Sequence, residues 1–428
     1  MTLGGLAWAN LRAAPMGSAL NVLLMALGTA SIMVLLLVGQ QLGTTLSRDA
    51  RGIDLVLGAK GSPVQLILSS VYHADVPTGN ISQADAMRWA DDARVARAVP
   101  LALGDSFRGF RIVGSTSEYL ELYRAQLVIG RLWQAPMEAV LGSAVARSGA
   151  LAMGAAFAGA HGLSAGGHVH DSDPYRVVGV LAETGTVLDR LILTSLDSVW
   201  NLHDEAGAHE EHDPHVDDPA AHAADHDNEH EHDDHQYERV DLAPVAEDRQ
   251  ITALLLRYAS PLAATTLPQQ INAQSSLQAA SPAFEITRLL QLAGLGLDGL
   301  RAFAGVLIVT AGLSLFATLY GALKTRRYDL AMLRCLGATR GELLLSLLIE
   351  GLLLSLAGAV LGFALGHVLV EMLGHWLAQS RGVGLTGLIW LAQETLLLGG
   401  LLLVGLVAAA LPAWQAYRVD VASILAEG

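Results

Sequence analysis

The sequence predicts an α-helical membrane protein with four transmembrane helices and a large α+β domain inserted between helices 1 and 2. Three observations carry that reading. The 428 residues are 52% hydrophobic and only 16% charged, with a mean hydropathy of +0.42, too apolar for a soluble domain that must cover itself with charge. Four apolar runs can each cross a hydrocarbon core of about 30 Å, which takes about 20 helical residues. Between the first and second runs lies a long stretch with mixed strand and helix patterns.

The runs are residues 19–39, 302–323, 343–370 and 385–412. The last two exceed the minimum, so tilt or extension beyond the bilayer is expected. The first is too long for a signal-peptide core and no small-residue cleavage site follows it, so it reads as a retained helix. Before it, in residues 1–18, Leu3, Leu6, Ala7 and Leu11 share one helical face with Trp8 beside them, and Pro15 breaks the helix. That pattern suits a short amphipathic segment on the membrane surface. Orientation comes from residues 324–342, where Lys324, Arg326, Arg327, Arg334 and Arg340 outnumber Asp329 and Glu342. Short basic loops stay in the cytoplasm. Both termini, including the tail 413–428, are then expected in the cytoplasm, and residues 40–301 in the periplasm of a bacterium, with the chain in its inner membrane.

The net charge of −15 is concentrated in one place. Residues 203–235 hold 13 Asp and Glu and no Lys or Arg; without them 28 acidic residues face 26 basic ones. No basic face is available for nucleic acid, which is not an expected partner. A single cysteine, Cys335, excludes an internal disulfide and a Cys-based zinc site.

Within the outside domain, Phe110–Val113, Ala139–Leu141, Tyr175–Val180, Leu191–Thr194 and Ile251–Tyr258 read as short buried strands bounded by turn residues. Ser82–Arg97 reads as a helix with Ser82 as N-cap and Asp85 in the capping-box position. Pro261–Gln274 reads as another, with Pro268 against it. Phe284–Arg301 has helical apolar spacing and runs into the second span as a stalk.

Residues 203–235 interrupt this domain with too few apolar residues to bury a core, and are expected to form a disordered insertion. His209, His212, His215, His222, His226, His230, His232 and His235 are candidate metal ligands there, joined by His203. Neutral imidazole suits Zn, Cu and Ni, with zinc the candidate cofactor. The plainer reading is a solvating acidic linker. His168, His170, Asp171 and Asp173 form a smaller cluster of residue types that are also ordinary in turns.

No G-x-x-x-x-G-K-[ST] loop is present; the nearest match, GAKGS at Gly58–Ser62, lacks the spacing. ATP-driven work therefore requires a partner subunit, and this chain is expected to be no enzyme and to bind no cofactor beyond a metal. The sequence also lacks an H-E-x-x-H motif, and its one G-x-S-x-G string, GLSAG at Gly162–Gly166, is a bare five-residue match that gives an enzyme reading little support. Ionisable residues in the spans are functional candidates by default. Glu350 lies inside the third run, His367, Glu371 and His375 line one face at its far end, and Glu394 in the fourth has no basic partner readable from sequence. Gly358, Gly362 and Gly366 recur at four-residue spacing, fitting close helix contact within one subunit or between two.

The stretch RRYDLAMLRCLGATRGELLLSLLIEG, Arg326–Gly351, resembles the cytoplasmic loop and following helix of FtsX-like permeases, the group that includes the macrolide exporter MacB and lipoprotein-releasing permeases. Arg326, Asp329, Leu333, Arg334, Leu336, Gly337, Ala338 and Glu350 carry the likeness; Asp329–Leu330 stands where Glu-Ile is common. The end, LPAWQAYRVDVASILAEG, matches the family's terminal pattern with Val421 where proline is usual. LAWANLRAAPMGSALNVLL resembles its N-terminal segment, and FRIVGSTSEYLELY, GRLW, AVLGSAVARSGALAMGAAF and YRVVGVL resemble the MacB-type periplasmic core domain.

The resemblance implies the permease subunit of an ABC transporter, a homodimer working with a separate cytoplasmic ABC ATPase that binds the ATP. Movement would pass to the periplasmic domain, where it acts on an envelope cargo or a periplasmic partner. Arg326, Arg327, Asp329, Arg334, Gly337 and Arg340 would then form the ATPase-coupling segment. Two other readings stand beside it: a zinc or transition-metal homeostasis component using the His-rich insertion, with a metal-binding protein as partner, and an intramembrane ion carrier or enzyme using Glu350, Glu371 and the nearby histidines.

Overall fold

The computed structural model describes residues 3–13, 15–160, 174–202, 249–381 and 384–418. They divide into two compact units, Thr45–Arg288 and Met1–Thr44 with Leu289–Gly428.

The chain begins with helices α1 (Leu3–Ala13) and α2 (Pro15–Asp49). Pro15 opens the second as well as ending the first, since a proline at the first helical position loses no hydrogen bond. Strands follow as β1 (Leu55–Ala59), β2 (Ile81–Ser82), β3 (Val95–Phe107), β4 (Phe110–Ser115), β5 (Leu127–Gly130), β6 (Glu138–Leu141), β7 (Ala156–Phe157), β8 (Tyr175–Leu181), β9 (Leu191–Ser195), β10 (Gln250–Ile251), β11 (Ala253–Tyr258) and β12 (Leu277–Ala280). Between them lie helices α3 (Pro63–Ser70), α4 (Gln83–Ala90), α5 (Ser117–Leu122), α6 (Ser143–Arg147) and α7 (Ala263–Gln274). The main sheet runs β12-β1-β11-β3-β4-β9-β6-β8-β5 with β7 beside β8, and β10 pairs β2 separately. Only the β4–β9 and β6–β8 pairs in it are parallel. Two cores cover it: Leu55, Leu57, Leu254, Leu256, Leu267 and Ile271 at one end, and Ile112, Leu141, Phe157, Tyr175 and Ile192 at the other.

The helix expected over Ser82–Arg97 is shorter. Ser82 Oγ does accept the Asp85 amide at 3.2 Å, but α4 stops at Ala90 and residues 95–97 open β3. Asp92 forces the change: its carboxylate accepts the Arg94 amide at 2.9 Å and its guanidinium at 2.8 and 2.6 Å, closing a turn. The strand expected over Ile251–Tyr258 divides at Thr252, whose Oγ1 accepts the Leu103 amide at 2.9 Å. Pro268 sits inside α7.

After the sheet come α8 (Pro282–Thr325), α9 (Arg327–Cys335), α10 (Arg340–Arg381) and α11 (Ala392–Tyr417). Among the described residues α2, α8, α10 and α11 are long and apolar enough to cross a membrane. The 44 residues of α8 span ~66 Å at 1.5 Å per residue, about twice a hydrocarbon core, and include all of Phe284–Arg301. In the helical unit the glycine stripe of α10 packs on α2 of the same chain. A Cβ on Gly358, Gly362 or Gly366 would lie 2.5–2.6 Å from a Cβ of Met25, Thr29 or Met33. Two four-residue periodicities interlock there, and small residues let the backbones approach. Gly351 meets Ala409 of α11 in the same way. Asn21 of α2 ties α8, donating to Thr318 Oγ1 at 3.0 Å and accepting from Ser314 Oγ at 2.6 Å.

Candidate coupling surface

The basic segment after α8 folds into a helix with defined ends. In α9 the Gly337 amide donates to the Arg334 carbonyl at 3.1 Å and the Ala338 amide to the Leu333 carbonyl at 3.0 Å, the paired bonds of a Schellman stop. Gly337 has φ +105, a backbone region where a side chain is strained, so glycine is required by the turn itself. Two residues on, Thr339 and Glu342 form a capping box: Thr339 Oγ1 accepts the Glu342 amide at 3.2 Å and Glu342 Oε2 accepts the Thr339 amide at 2.7 Å. The T-x-x-E spacing of Thr339 and Glu342 is a helix-start signal legible in the sequence.

One face of α9 is inward. Ala331 is fully buried, and Leu330 packs on Leu323, Leu347, Ala413 and Ala416. The other face exposes Tyr328, Met332 and Leu336, at 53%, 43% and 81%. Their four-residue spacing makes them one stripe. Beside it opens a groove of about 600 Å³, whose lining includes Ala13, Leu323, Arg326, Met332, Leu333 and Leu343. Arg326 precedes the helix and Arg334 lies in its last turn; both are half-buried, whereas Gly337 and Arg340 are exposed. Arg327 and Asp329 belong to α9 by backbone, and their side chains lie outside the described residues. Exposed apolar patches flanked by polar residues are a general mark of interaction surfaces, which makes this stripe, with Arg326 lining the groove beside it, a candidate.

The candidate metal ligands His209, His212, His215, His222, His226, His230, His232 and His235 lie outside the described residues, as do His168, His170, Asp171 and Asp173. Among the described residues no group of three His, Cys, Asp or Glu side chains could hold a metal ion. Of the intramembrane residues, Glu350 is buried. Glu394 does have a partner: His367 Nε2 lies 3.2 Å from its Oε2. Glu371 instead holds the loop before α11, accepting the Gly387 amide at 2.7 Å and Thr386 Oγ1 at 3.0 Å.

A further polar cluster lies where α2 ends, in the Thr45–Arg288 unit. Tyr123 donates to the Asp49 carbonyl at 2.6 Å, one that a helix C-terminus leaves open, and Tyr72 donates to the Leu46 carbonyl at 3.0 Å, which also accepts the Ala50 amide at 3.2 Å. Asp49 Oδ1 accepts the Val187 amide at 2.9 Å, Oδ2 lies 3.6 Å from Arg190, and Arg48 donates to the Gly185 carbonyl at 2.8 Å. Burial pushes the Asp49 carboxyl up to about 6, against the pull of Arg190. Burial, then Arg111 and Arg190, hold the neighbouring His73 imidazole well below its ordinary range; its Nε2 lies 3.0 Å from Tyr119 Oη. The sequence signal was slight: one carboxylate ten residues beyond an apolar run.

Residues 301–421 match the FtsX-like permease C-terminal family, and residues 18–228 match the MacB-like periplasmic core domain. The chain thus joins an FtsX-like permease C-terminal region to a MacB-like core domain that lies in sequence between the first and second of its candidate membrane-spanning helices, α2 and α8. The chain belongs to the FtsX-like, MacB-type permease family. Similar solved structures include the periplasmic region of MacB from Actinobacillus actinomycetemcomitans, at 13% identity over 56% of this chain and 95% of that one, TM-score 0.32. Another is the extracellular domain of the noncanonic ABC-type transporter YknZ from Gram-positive bacteria, at 10% identity over 53% of this chain and 99% of that one, TM-score 0.29. No curated relative matches the chain. Four apolar helices and a MacB-like periplasmic domain fit a protein of the bacterial inner membrane.

Proposed function

We propose that the chain is the permease subunit of an ABC transporter, docking a separate cytoplasmic ATPase through α9 and passing its ATP-driven movement to a periplasmic domain that acts on an envelope cargo or partner. The observation that carries the reading is the exposed Tyr328–Met332–Leu336 stripe, set among Arg326, Arg334 and Arg340 within the segment that matches the permease family. An apolar stripe supplies contact area and the arginines supply steering and bidentate pairs to carboxylates. The Schellman stop and capping box hold that stripe rigid on α8 and α10, as transmission of force requires. In this reading α9 and both termini are cytoplasmic, the permease is a homodimer, and ATP is bound and hydrolysed by the partner.

A photoreactive amino acid at Met332 of the full-length chain, in its bacterial host, tests this. An ABC ATPase crosslinked there, and lost when Leu336→Asp is added, is the expected result. Crosslinking to lipid alone would overturn it.

A further inference from the structure

We propose that His367 and Glu394 together hold one proton, as an imidazolium–carboxylate pair, and that this proton closes a clasp between α10, α11 and the loop 384–391 joining them. The argument rests on donors and acceptors. The His367 ring lies between two acceptors: Nδ1 contacts the Gly387 carbonyl, and Nε2 lies 3.2 Å from Glu394 Oε2. A carbonyl oxygen only accepts, and Glu394 Oε1 is already occupied by the Leu391 amide at 3.0 Å. A neutral imidazole has a single N–H and serves one acceptor, not two. Satisfying both contacts takes one more proton.

Two features place that proton on the ring. Trp390 stacks on it with centroids 6.0 Å apart and planes 10° apart, and an indole face attracts a cation. Glu394 lies in the first turn of α11, where a helix favours an anion. Glu394 is fully buried, so its charge depends on a partner, and the His367 side chain, 22% exposed, is the one that reaches it. Every element around the pair contributes to the same loop. Glu371, one turn along α10, brings a second carboxylate and binds Thr386 and Gly387, with His375 a further turn away. Gln41 of α2 brackets Thr386, donating to its carbonyl at 2.8 Å and accepting its amide at 2.9 Å. Gly387 itself fits against α10 only without a side chain, because a Cβ there would lie 2.1 Å from the His367 carbonyl oxygen. Removing the proton would set the Nε2 lone pair against the Glu394 carboxylate and release the ring from one of its two anchors.

The test is nitrogen NMR of the full-length chain, labelled at histidine and held in lipid nanodiscs at neutral pH, with the His367 signals assigned by their loss in His367→Gln and by proximity to Trp390. Both ring nitrogens protonated in the wild type is the expected result. In Glu394→Gln, whose amide can itself donate to Nε2, the ring should become neutral with Nδ1 protonated. A neutral His367 in the wild type overturns the proposal, and so does a doubly protonated ring that Glu394→Gln leaves unchanged. Should Glu394→Gln fail to fold, the wild-type spectrum still decides, backed by an infrared spectrum in which a protonated carboxyl assigned to Glu394 would count against the pair.

Discussion

Asp49 shows how little of a residue's behaviour its sequence neighbours reveal. By sequence it is an acidic residue past an apolar run; in the folded chain its carboxylate is buried between the Val187 amide and Arg190. Its folded value of about 6 lies above the ordinary 3.8, so the folded state binds this proton more tightly than the unfolded chain. Its contribution to stability is therefore full below about 3.8 and lost as pH rises through about 6, at most about 3 kcal/mol. Asp49→Asn carries no such titration. Melting of both forms between those limits should show the wild type gaining on the variant as pH falls, and parallel curves would contradict the assignment. His367 and Glu394 teach the same lesson. Both were readable as intramembrane ionisable residues, but their pairing across α10 and α11 depends on a loop conformation that spacing does not encode.

At the scale of elements, periodicity carried most of the reading. The first three apolar runs each fall within a long helix, and the fourth, 385–412, does so only from Ala392, its first residues belonging to the loop before α11; the buried runs read at 110–113, 139–141, 175–180 and 191–194 all lie in strands. The cap at Ser82 marks where the helix expected over Ser82–Arg97 starts but not where it ends: the Asp92–Arg94 turn stops it after Ala90, and residues 95–97 pair with β11 instead. β1 is a strand because β11 and β12 pair with it on either side, contacts that lie about 200 residues away in the chain and leave no local signal. The glycine stripe was legible as a close-contact face, but not which helix it meets. Gly362→Leu should therefore lower the melting temperature of the solubilised chain by the equivalent of about 1–3 kcal/mol, the usual cost of overpacking. Gly399→Leu, where a Cβ meets nothing within 4 Å, should leave it unchanged; equal effects of the two would contradict the α2–α10 contact.

For the whole molecule, the residues between Leu202 and Arg249 raise a question of modularity. By composition, residues 203–235 offer almost no apolar surface to bury. Deleting residues 205–236 should leave the melting of the full chain within about 0.5 kcal/mol of wild type, as for changes remote from any core. Zinc titration of the two forms then tests the histidines directly: binding present in the wild type and lost with the deletion supports metal capture, and no binding in either form makes the segment a solvated linker.

What the sequence determined by itself is what depends on composition and period: a membrane protein, the number and order of its spans, an α+β domain between the first two, and the family to which the motif around Gly337 belongs. These follow from the length of chain that hydrocarbon requires and from local turn chemistry, both written in consecutive residues. Only the tertiary structure decided which groups meet: Gly358, Gly362 and Gly366 against α2, His367 against Glu394, Asp49 against Val187 and Arg190, and the outward stripe of Tyr328, Met332 and Leu336. Each joins residues far apart in the chain or depends on which face of a helix its neighbours cover. That is fixed by packing, through contacts no local pattern specifies.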